Sequence, residues 1–447
     1  MENIKINIPK DVEYIINELE KNNFEGYVVG GCVRDSLLSR KPKDWDITTN
    51  AKPDEVVELF SDHSVIPTGI KHGTVTVVIN DIEYEITTYR SESIYSDGRH
   101  PDKVEFVNSI KEDLSRRDFT INAMAYNSSM GLVDYFNGIN DLNKKIIRCV
   151  GNPFDRFNED KLRAMRAVRF SAQLGFKIEE KTKQAIMNLE GNLSGVSMER
   201  VRDEFNKILT SDSSKVNTLY MTWLTDYFIP EFNRMEINQN NPYHNLNLLD
   251  HTFLATNLIE NEIHFKLTML LHDIGKLETE TKDENGISHY YNHAIFSAEK
   301  AKKILTTMKY DNETINKVLT LIKYHDCTLE SNNSIKKILN KIGEELLKDL
   351  IKVKWADILA QNVIYAKDRL VKLIKVESYI NDIIARNECF SLKDLKVNGK
   401  DLIRELDLKS GKQIGEILNY LLDKVLENPE LNIKETLILM SKEWLYN

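Results

Sequence analysis

The sequence predicts an α/β head followed by a long all-α body and tail, and three observations carry that prediction. Over roughly the first 150 residues, short apolar or alternating runs of strand type are interleaved with helical segments. From Asn158 onward almost every segment instead repeats its apolar residues with helical spacing. Between these regimes Gly151-Asn152-Pro153 punctuates the chain. At 447 residues the chain is too long for one ordinary core, so two to four domains are expected.

Each element has its own signal. GYVVGG (Gly26–Gly31) reads as a buried strand ending in a glycine turn, and VRDSLLSR has helical spacing. DWDITT (Asp44–Thr49) reads as a strand, followed by the helix KPDEVVELF with proline near its start. TVTVVIND and IEYEITTYR alternate about Asn80-Asp81, as a hairpin does. EDKLRAMRAVRFSAQLGF (Glu159–Phe176) and AIFSAEKAKKILTTM (Ala294–Met308) are amphipathic helices, and the polar stretch NQNNPYHN (Asn238–Asn245) marks an internal boundary.

Composition excludes several classes. With 41% apolar and 29% charged residues the chain is of soluble globular type. No apolar run approaches the ~18–20 residues that span a bilayer, so no membrane association is expected. The charged, amphipathic N-terminus is unlike a signal peptide, and the cytoplasm is the expected location. Cys32, Cys149, Cys327 and Cys389 are scattered without a CxxC, which suggests neither a disulfide framework nor a zinc ribbon. A net charge of −9 argues weakly against a nucleic-acid partner, yet Ser331–Lys375 holds ten Lys or Arg against five Asp or Glu.

The stretch YVVGGCVRDSLLSRKPKDWDIT (Tyr27–Thr48) carries the first chemistry. Asp44 and Asp46, two residues apart, share one face of an extended segment and suit Mg²⁺, which takes a few carboxylates together with phosphate oxygens. Backbone N–H groups at Gly30-Gly31 can approach phosphates closely, and Arg34 adds charge. These residues resemble the first motif of class II tRNA nucleotidyltransferases, the family of CCA-adding enzymes and bacterial poly(A) polymerases. RRDFTINAMAY (Arg116–Tyr126), DYFNGINDLNKKIIRCVG (Asp134–Gly151), EDKLRAMRAVRF (Glu159–Phe170) and SMERVRDEFNKIL (Ser197–Leu209) resemble the following motifs in order. The third departs in having Asn137-Gly138 where the family has Gly-Gly.

The resemblance implies a polymerase-β-like head of mixed sheet and helices, a two-metal site with Asp44 and Asp46 as catalytic Mg²⁺ ligands, and contacts from Gly31, Arg34 and Arg117 to the incoming nucleotide. Glu85 stays open between a third catalytic carboxylate and a solvent-facing strand residue. In the fourth motif Asp160 and Arg163 are three apart, hence neighbours on one helix face. Cytosine and adenine each present an amino donor beside a ring-nitrogen acceptor, which a carboxylate and a guanidinium match; uracil and guanine reverse both polarities. Glu159 would orient Arg163, while Arg166 and Arg169 extend the basic row towards phosphates.

CCA addition and poly(A) addition share these motifs. TGIKHGTVTVVI and YRSESIYSDGRHPDKVEF look like the CCA type, with His100 where relatives often have a second arginine. Full addition of C, C and A from CTP and ATP to tRNA is the reading preferred here, with A-only addition or poly(A) synthesis as the alternative.

Beyond residue 245, His251, His272-Asp273 in LLHDIGK and Asp357 resemble the metal ligands of HD phosphohydrolases, with His293 and His325 available for a second position. Imidazole with carboxylate suits Mn²⁺, Ni²⁺ or Fe²⁺ better than Mg²⁺. The resemblance implies phosphodiesterase or phosphatase activity on damaged tRNA ends or cyclic phosphates; a degenerate scaffold kept for tRNA contact is the competing reading. KVNGKDLIRELDLKSGKQIGEILNYLLDKV (Lys396–Val425) resembles the family's tail and implies contact with the tRNA elbow, while the head would meet the acceptor stem. The expected divisions are head 1–150, helical neck 151–240, HD-type body 241–375 and tail 376–447. A primary HD hydrolase with a nucleotide-sensing head, or a non-catalytic tRNA-binding protein, are the rivals from other classes.

Overall fold

The computed structural model describes residues 4–93, 103–386 and 390–446. It contains two compact units that divide after Pro230. Parts of the segment Tyr89–Phe106, including His100, lie outside the described residues, as does Cys389.

In the first unit, α1 (Lys10–Lys21) buries Val12, Ile15, Ile16 and Leu19 along one face. Then come β1 (Gly26–Val29), α2 (Gly31–Leu37), β2 (Ile47–Thr49), α3 (Pro53–Leu59), β3 (Ser64–Gly69), β4 (Thr74–Ile79) and β5 (Ile82–Thr88). A short pair follows, β6 (Arg90–Ser93) with β7 (Lys103–Phe106), then α4 (Ile110–Ser115), β8 (Ala125–Asn127) and β9 (Gly131–Val133). The main sheet has the order β3-β4-β5-β2-β1-β8-β9 and is mixed, because β2 and β5 run parallel while its other neighbours are antiparallel. Every residue of β1 is buried because both faces of the strand are covered. Val28 joins the core with Val12, Ile47 and Ile86, whereas Tyr27 and Val29 join a second cluster with Tyr89 and Leu114. The β4–β5 hairpin turns at Asn80 and Asp81, with φ of 52° and 61°. Two successive left-handed residues give the turn that matches strand twist.

DWDITT is shorter as a strand than its pattern suggests, since β2 begins only at Ile47. Asp46 still extends the pairing, its carbonyl accepting from Val29 N at 3.0 Å.

After the sheet come α5 (Gly138–Lys144), α6 (Pro153–Glu159), α7 (Leu162–Leu174), α8 (Glu180–Met187), α9 (Met198–Asp212) and α10 (Val216–Met221). Asn137 takes the left-handed conformation at φ 60°, which Asn tolerates, so Gly-Gly is unnecessary there. Gly138 is different: a Cβ would lie 2.4 Å from the Thr120 carbonyl oxygen. EDKLRAMRAVRF is not one helix. Asp160 leaves helical geometry at φ −140° and ψ 104°, and its Oδ1 accepts from Leu162 N at 3.0 Å. That local bond starts a fresh helix at α7, so Asp160 and Arg163 do not share a continuous helix face.

The second unit is helical: α11 (Leu248–Leu258), α12 (Ile263–Leu271), α13 (Lys276–Thr279), α14 (His293–Thr307), α15 (Asn312–Tyr324), α16 (Asn332–Leu359), α17 (Val363–Ala385), α18 (Gly399–Leu406), α19 (Lys412–Glu427) and α20 (Lys434–Tyr446). α16 kinks at Gly343, whose φ is 81°. A small hairpin, Glu280–Lys282 with Ser288–Tyr290, interrupts the helices where periodicity had suggested none. One core gathers Phe265, Met269, Leu321, Leu347, Leu350 and Val353; a separate one holds the tail through Leu402, Ile417, Leu421 and Leu437. Among the described residues no helix is long and apolar enough to cross a membrane.

Candidate nucleotide and metal sites

The glycine turn after β1 organises the first site. Gly30 has φ 82°, and its N–H is already used by the Met124 carbonyl at 3.1 Å. Gly31, at the head of α2, lines the cavity beside this turn. A Cβ on Gly30 would sit 2.9 Å from Arg117 Nη1, so glycine here makes room for the arginine as well as for the turn.

Around this turn lies a cavity of about 430 Å³ lined by Gly31, Arg34, Asp46, Arg117, Asp160, Arg163, Arg166 and Arg169, while Asp44, Glu85 and Glu159 are not among its lining residues. Parallel pairing of Ile47 with Ile86 puts Asp46 alongside Glu85. Part of the Asp46 side chain reaches solvent, yet burial by the surrounding protein pushes its carboxyl up to about 6. The charges of Asp44 and Glu85 add to the rise and Arg117 opposes it. Clustered carboxylates that resist joint ionisation are a donor set that a hard divalent cation would relieve, and the all-oxygen chemistry fits Mg²⁺.

The arginines are held by partners that the sequence motifs contained but did not single out. Asp118, buried, takes Arg166 through two bonds of 2.8 and 2.6 Å; burial works against its charge, but Arg166 outweighs that and holds the carboxyl below its usual range. Asn122 accepts from Arg34 at 2.7 Å and donates to Asp118 at 3.2 Å. Glu204 on α9 pairs with Arg169 at 2.5 Å. The guanidiniums of Arg34, Arg166 and Arg169 all lie near the Phe170 ring, 5.2, 5.5 and 3.8 Å from its centroid. A ring face tolerates cations that would otherwise repel one another, and the cluster presents concentrated positive charge to the cavity.

The base-reading candidates are each tied to a neighbour. Arg163 donates to Glu159 at 2.6 Å, the orientation expected from sequence. Asp160 accepts from Arg200 at 2.9 Å, a partner forty residues away that no local pattern signals.

The second site is built at helix ends. His251 lies on α11, His272 caps α12 and precedes Asp273, His293 opens α14, His325 caps α15, and Asp357 lies near the end of α16. All four rings turn Nδ1 to a backbone carbonyl: His251 to Ala360 at 3.2 Å, His272 to Met269 at 2.8 Å, His293 to Tyr290 at 2.8 Å and His325 to Ile322 at 2.6 Å. Each Nε2 is thereby left to face a common centre. There His251 Nε2 approaches Asp357 at 3.1 Å and His272 Nε2 approaches Asp273 at 3.2 Å. Neither contact has hydrogen-bond geometry, so both Nε2 atoms are buried without a hydrogen-bond partner. His293 and His325 meet at 3.1 Å, and Asp273 Oδ1 is 3.4 and 3.7 Å from their Nε2 atoms. Burial disfavours charge on His272, but Asp273 and Asp357 outweigh it and raise the imidazole to about 10. Ligand atoms of His251, His272 and Asp357, and of His272, Asp273 and His325, lie within metal-sharing distance of one another. Orphaned imidazole nitrogens facing carboxylates fit a transition metal. A cavity of about 540 Å³ opens over them, with Lys276, Arg369 and Lys372 on its walls.

A mixed sheet that sets carboxylates beside an arginine-lined cavity, followed by a helical body, defines the class: a nucleotidyltransferase of the poly(A) polymerase and CCA-adding type. Residues 26–148 match the family described as "Poly A polymerase head domain", 175–236 that described as "Probable RNA and SrmB- binding site of polymerase A", and 279–440 a tRNA nucleotidyltransferase second-domain family. A CCA-adding enzyme of Ligilactobacillus salivarius is 36% identical over 456 residues, covering 98% of each chain, and the chain belongs to the CCA-adding enzyme family. A CCA-adding enzyme of Lactobacillus delbrueckii subsp. bulgaricus is 53% identical over 201 residues, 45% of this chain; that match spans about half the relative's length, 50%. The solved CCA-adding enzyme of Bacillus stearothermophilus in complex with CTP superposes with a TM-score of 0.71 at 26% identity, covering 98% of this chain and 97% of that one. A Thermotoga maritima CCA-adding enzyme complexed with tRNA, 22% identical with a TM-score of 0.61 and covering 99% of this chain and 97% of its own, shares the fold.

Proposed function

We propose that the chain adds C, C and A from CTP and ATP, without a nucleic-acid template, to the 3′ end of tRNA, with release of pyrophosphate. The observation that carries this reading is the cavity beside the glycine turn, where Asp46 lines the same space as Arg34, Arg117, Arg163, Arg166 and Arg169. It is supported by the alignment along the whole chain with a CCA-adding enzyme and by the likeness to one solved with CTP.

The roles follow from position. Asp44 and Asp46 would hold Mg²⁺, which would lower the attacking hydroxyl's pKa and neutralise the leaving group. Gly31, Arg34, Arg117, Arg166 and Arg169 would bind the triphosphate, with Asp118, Asn122 and Glu204 keeping the guanidiniums aimed. Asp160 would accept from the exocyclic amino group and Arg163 would donate to the ring nitrogen, so that uracil and guanine meet like polarity at both points. In this division of roles, residues 1–150 are the head, 151–240 the neck, 241–375 the body and 376–447 the tail that meets the tRNA elbow. The decisive experiment is sequencing of products after truncated tRNA is incubated with all four NTPs. Ordered C, C and A supports the reading, and A alone or an A tract favours an A-adding relative.

A second activity is favoured by the body site. Its two orphaned imidazole nitrogens and flanking carboxylates support an HD-type centre, with His251, His272, Asp273 and Asp357 as ligands and His293 and His325 for a second position. Bound Mn²⁺, Ni²⁺ or Fe²⁺ would supply an activated water for phosphoester hydrolysis. Lys276, Arg369 and Lys372 would hold the phosphate of a damaged tRNA end. Equilibrium dialysis with each metal, followed by hydrolysis assays on 2′,3′-cyclic phosphates, tests this directly.

A further inference from the structure

The cavity of about 540 Å³ over the body centre has an aromatic wall as well as a cationic one. His289 and Tyr291, from the end of the small hairpin, both line it. Their rings are parallel, with 7° between the planes and centroids 5.7 Å apart. His289 is held in place by Asp283, whose Oδ2 is 3.2 Å from Nε2. Tyr291 is 70% exposed.

One exposed tyrosine is ordinary on a protein surface. This one is set apart by its place. Asn292, at φ 61°, turns the chain from Tyr291 straight into α14, whose first residue is His293. His293 Nδ1 is in turn 2.8 Å from the Tyr290 carbonyl oxygen. The aromatic pair is thus joined through a single residue to an imidazole of the centre. Lys276, Arg369 and Lys372 line the same cavity. A ligand that satisfies both walls carries an anionic group and a flat ring. A phosphate with a nucleobase attached does so, because cations take the phosphate and aromatic faces take the base. A sugar phosphate would leave the rings bare.

We infer that Tyr291, beside His289, is a base-stacking subsite of the body cavity, occupied by the base of a ribonucleotide whose phosphate reaches the cations and the HD-type centre. The inference rests on the reading of the body as a phosphoesterase and adds its substrate class: phosphoesters that carry a base next to the phosphate. Every base has a π-face, so all four are accepted without reading of a Watson–Crick edge.

The test compares nucleoside 2′,3′-cyclic phosphates with methyl ribofuranoside 2,3-cyclic phosphate, which has the same reacting group and no base. Hydrolysis with Mn²⁺ or Ni²⁺ is measured for the full-length wild type and for Tyr291→Ala, Tyr291→Leu and Tyr291→Trp, with melting curves to confirm folding. The wild type should prefer the nucleotides in kcat/KM by about 5- to 150-fold, the usual size of one base stacked on an aromatic side chain. The preference should fall to near one in the Ala and Leu variants and persist in the Trp variant, whatever the base. An oligoribonucleotide ending in a 2′,3′-cyclic phosphate is run beside the mononucleotides, and the higher kcat/KM shows whether the subsite serves RNA ends or free nucleotides. Binding is read separately, without divalent metal, from the fluorescence of 2-aminopurine riboside 3′-monophosphate, which stacking quenches. An Arg34→Ala, Arg117→Ala background silences the head for this measurement. Affinity should drop by the same factor in Tyr291→Ala and Tyr291→Leu. Equal use of nucleotide and base-free phosphate by the wild type overturns the subsite, as does a preference or affinity that survives in Tyr291→Ala or Tyr291→Leu. The underlying reading fails separately: if no metal supports hydrolysis of either substrate, the body is no phosphoesterase, and the binding measurement alone then decides whether Tyr291 holds a base.

Discussion

The two polar constellations of this chain are prepared in opposite ways. In the head, the arginines at the cavity are paired before any ligand arrives: Arg166 with Asp118, Arg169 with Glu204, Arg163 with Glu159. In the body, His251 and His272 leave the nitrogens that face the centre without hydrogen bonds, while their opposite nitrogens are fixed to backbone carbonyls. The difference teaches what each site awaits. Paired guanidiniums keep their geometry and still have donors to spare, which suits a large anion that leaves after each cycle. Buried nitrogens that face carboxylates without hydrogen bonds carry a standing desolvation cost, which suits a small cation held for long periods.

The largest effects should come from removing the head's carboxylates. Asp44→Ala or Asp46→Ala should lower nucleotide addition by at least about a thousandfold, roughly 4 kcal/mol of transition-state stabilisation, while metal binding in the body stays intact. Normal addition by either variant at ordinary Mg²⁺ would remove these residues from the catalytic centre. Next, Asp273→Ala should abolish tight binding of Mn²⁺ or Ni²⁺ by the body and its hydrolysis, with CCA addition nearly unchanged. If the wild type hydrolyses nothing with Mn²⁺, Ni²⁺, Co²⁺ or Mg²⁺, the body is a scaffold and the contrast between the sites loses its functional meaning.

Smaller effects sharpen the contrast within the head. Truncating Asp160 and Arg163 together to Ala should weaken CTP and ATP alike and narrow their lead over UTP and GTP, by about 5- to 150-fold per contact. Affinity for tRNA should hardly move, so a filter-binding assay is the control. Smallest of the four, Asp118→Ala should raise KM for both nucleotides roughly fivefold, about 1 kcal/mol, by freeing the Arg166 fork rather than by removing a ligand contact. A fall in kcat with KM unchanged would instead place Asp118 in the chemistry.

Much of this was legible in the sequence wherever the cause is local. The β4–β5 hairpin followed from alternation about Asn80-Asp81, and the helical body from apolar spacing. Residues of the first, second, fourth and fifth motifs line one cavity, while the third contributes none. What was hidden depends on distance or on competition between local bonds. The hold of Arg200 on Asp160 joins residues on separate helices, and amphipathic spacing around Arg200 says only that it faces outward from its own helix. The break at Asp160 was hidden because the apolar pattern continues across it, although the carboxylate prefers to cap the next helix. Asp118 and Asn122 sat in plain view in RRDFTINAMAY, but only the fold shows which arginines they face.

The Asn137-Gly138 turn separates two demands that the family's Gly-Gly pair merges. At 137 the demand is torsional, φ of 60°, and any side chain that accepts that angle suffices. At 138 it is volumetric, since the Thr120 carbonyl and the Met124 side chain occupy the space a Cβ would need. A saturation library at both codons, selected for folded protein, should therefore return Asn, Gly and Asp at 137 but glycine alone at 138. The first position is free to drift between lineages; the second behaves as part of the wall of Thr120.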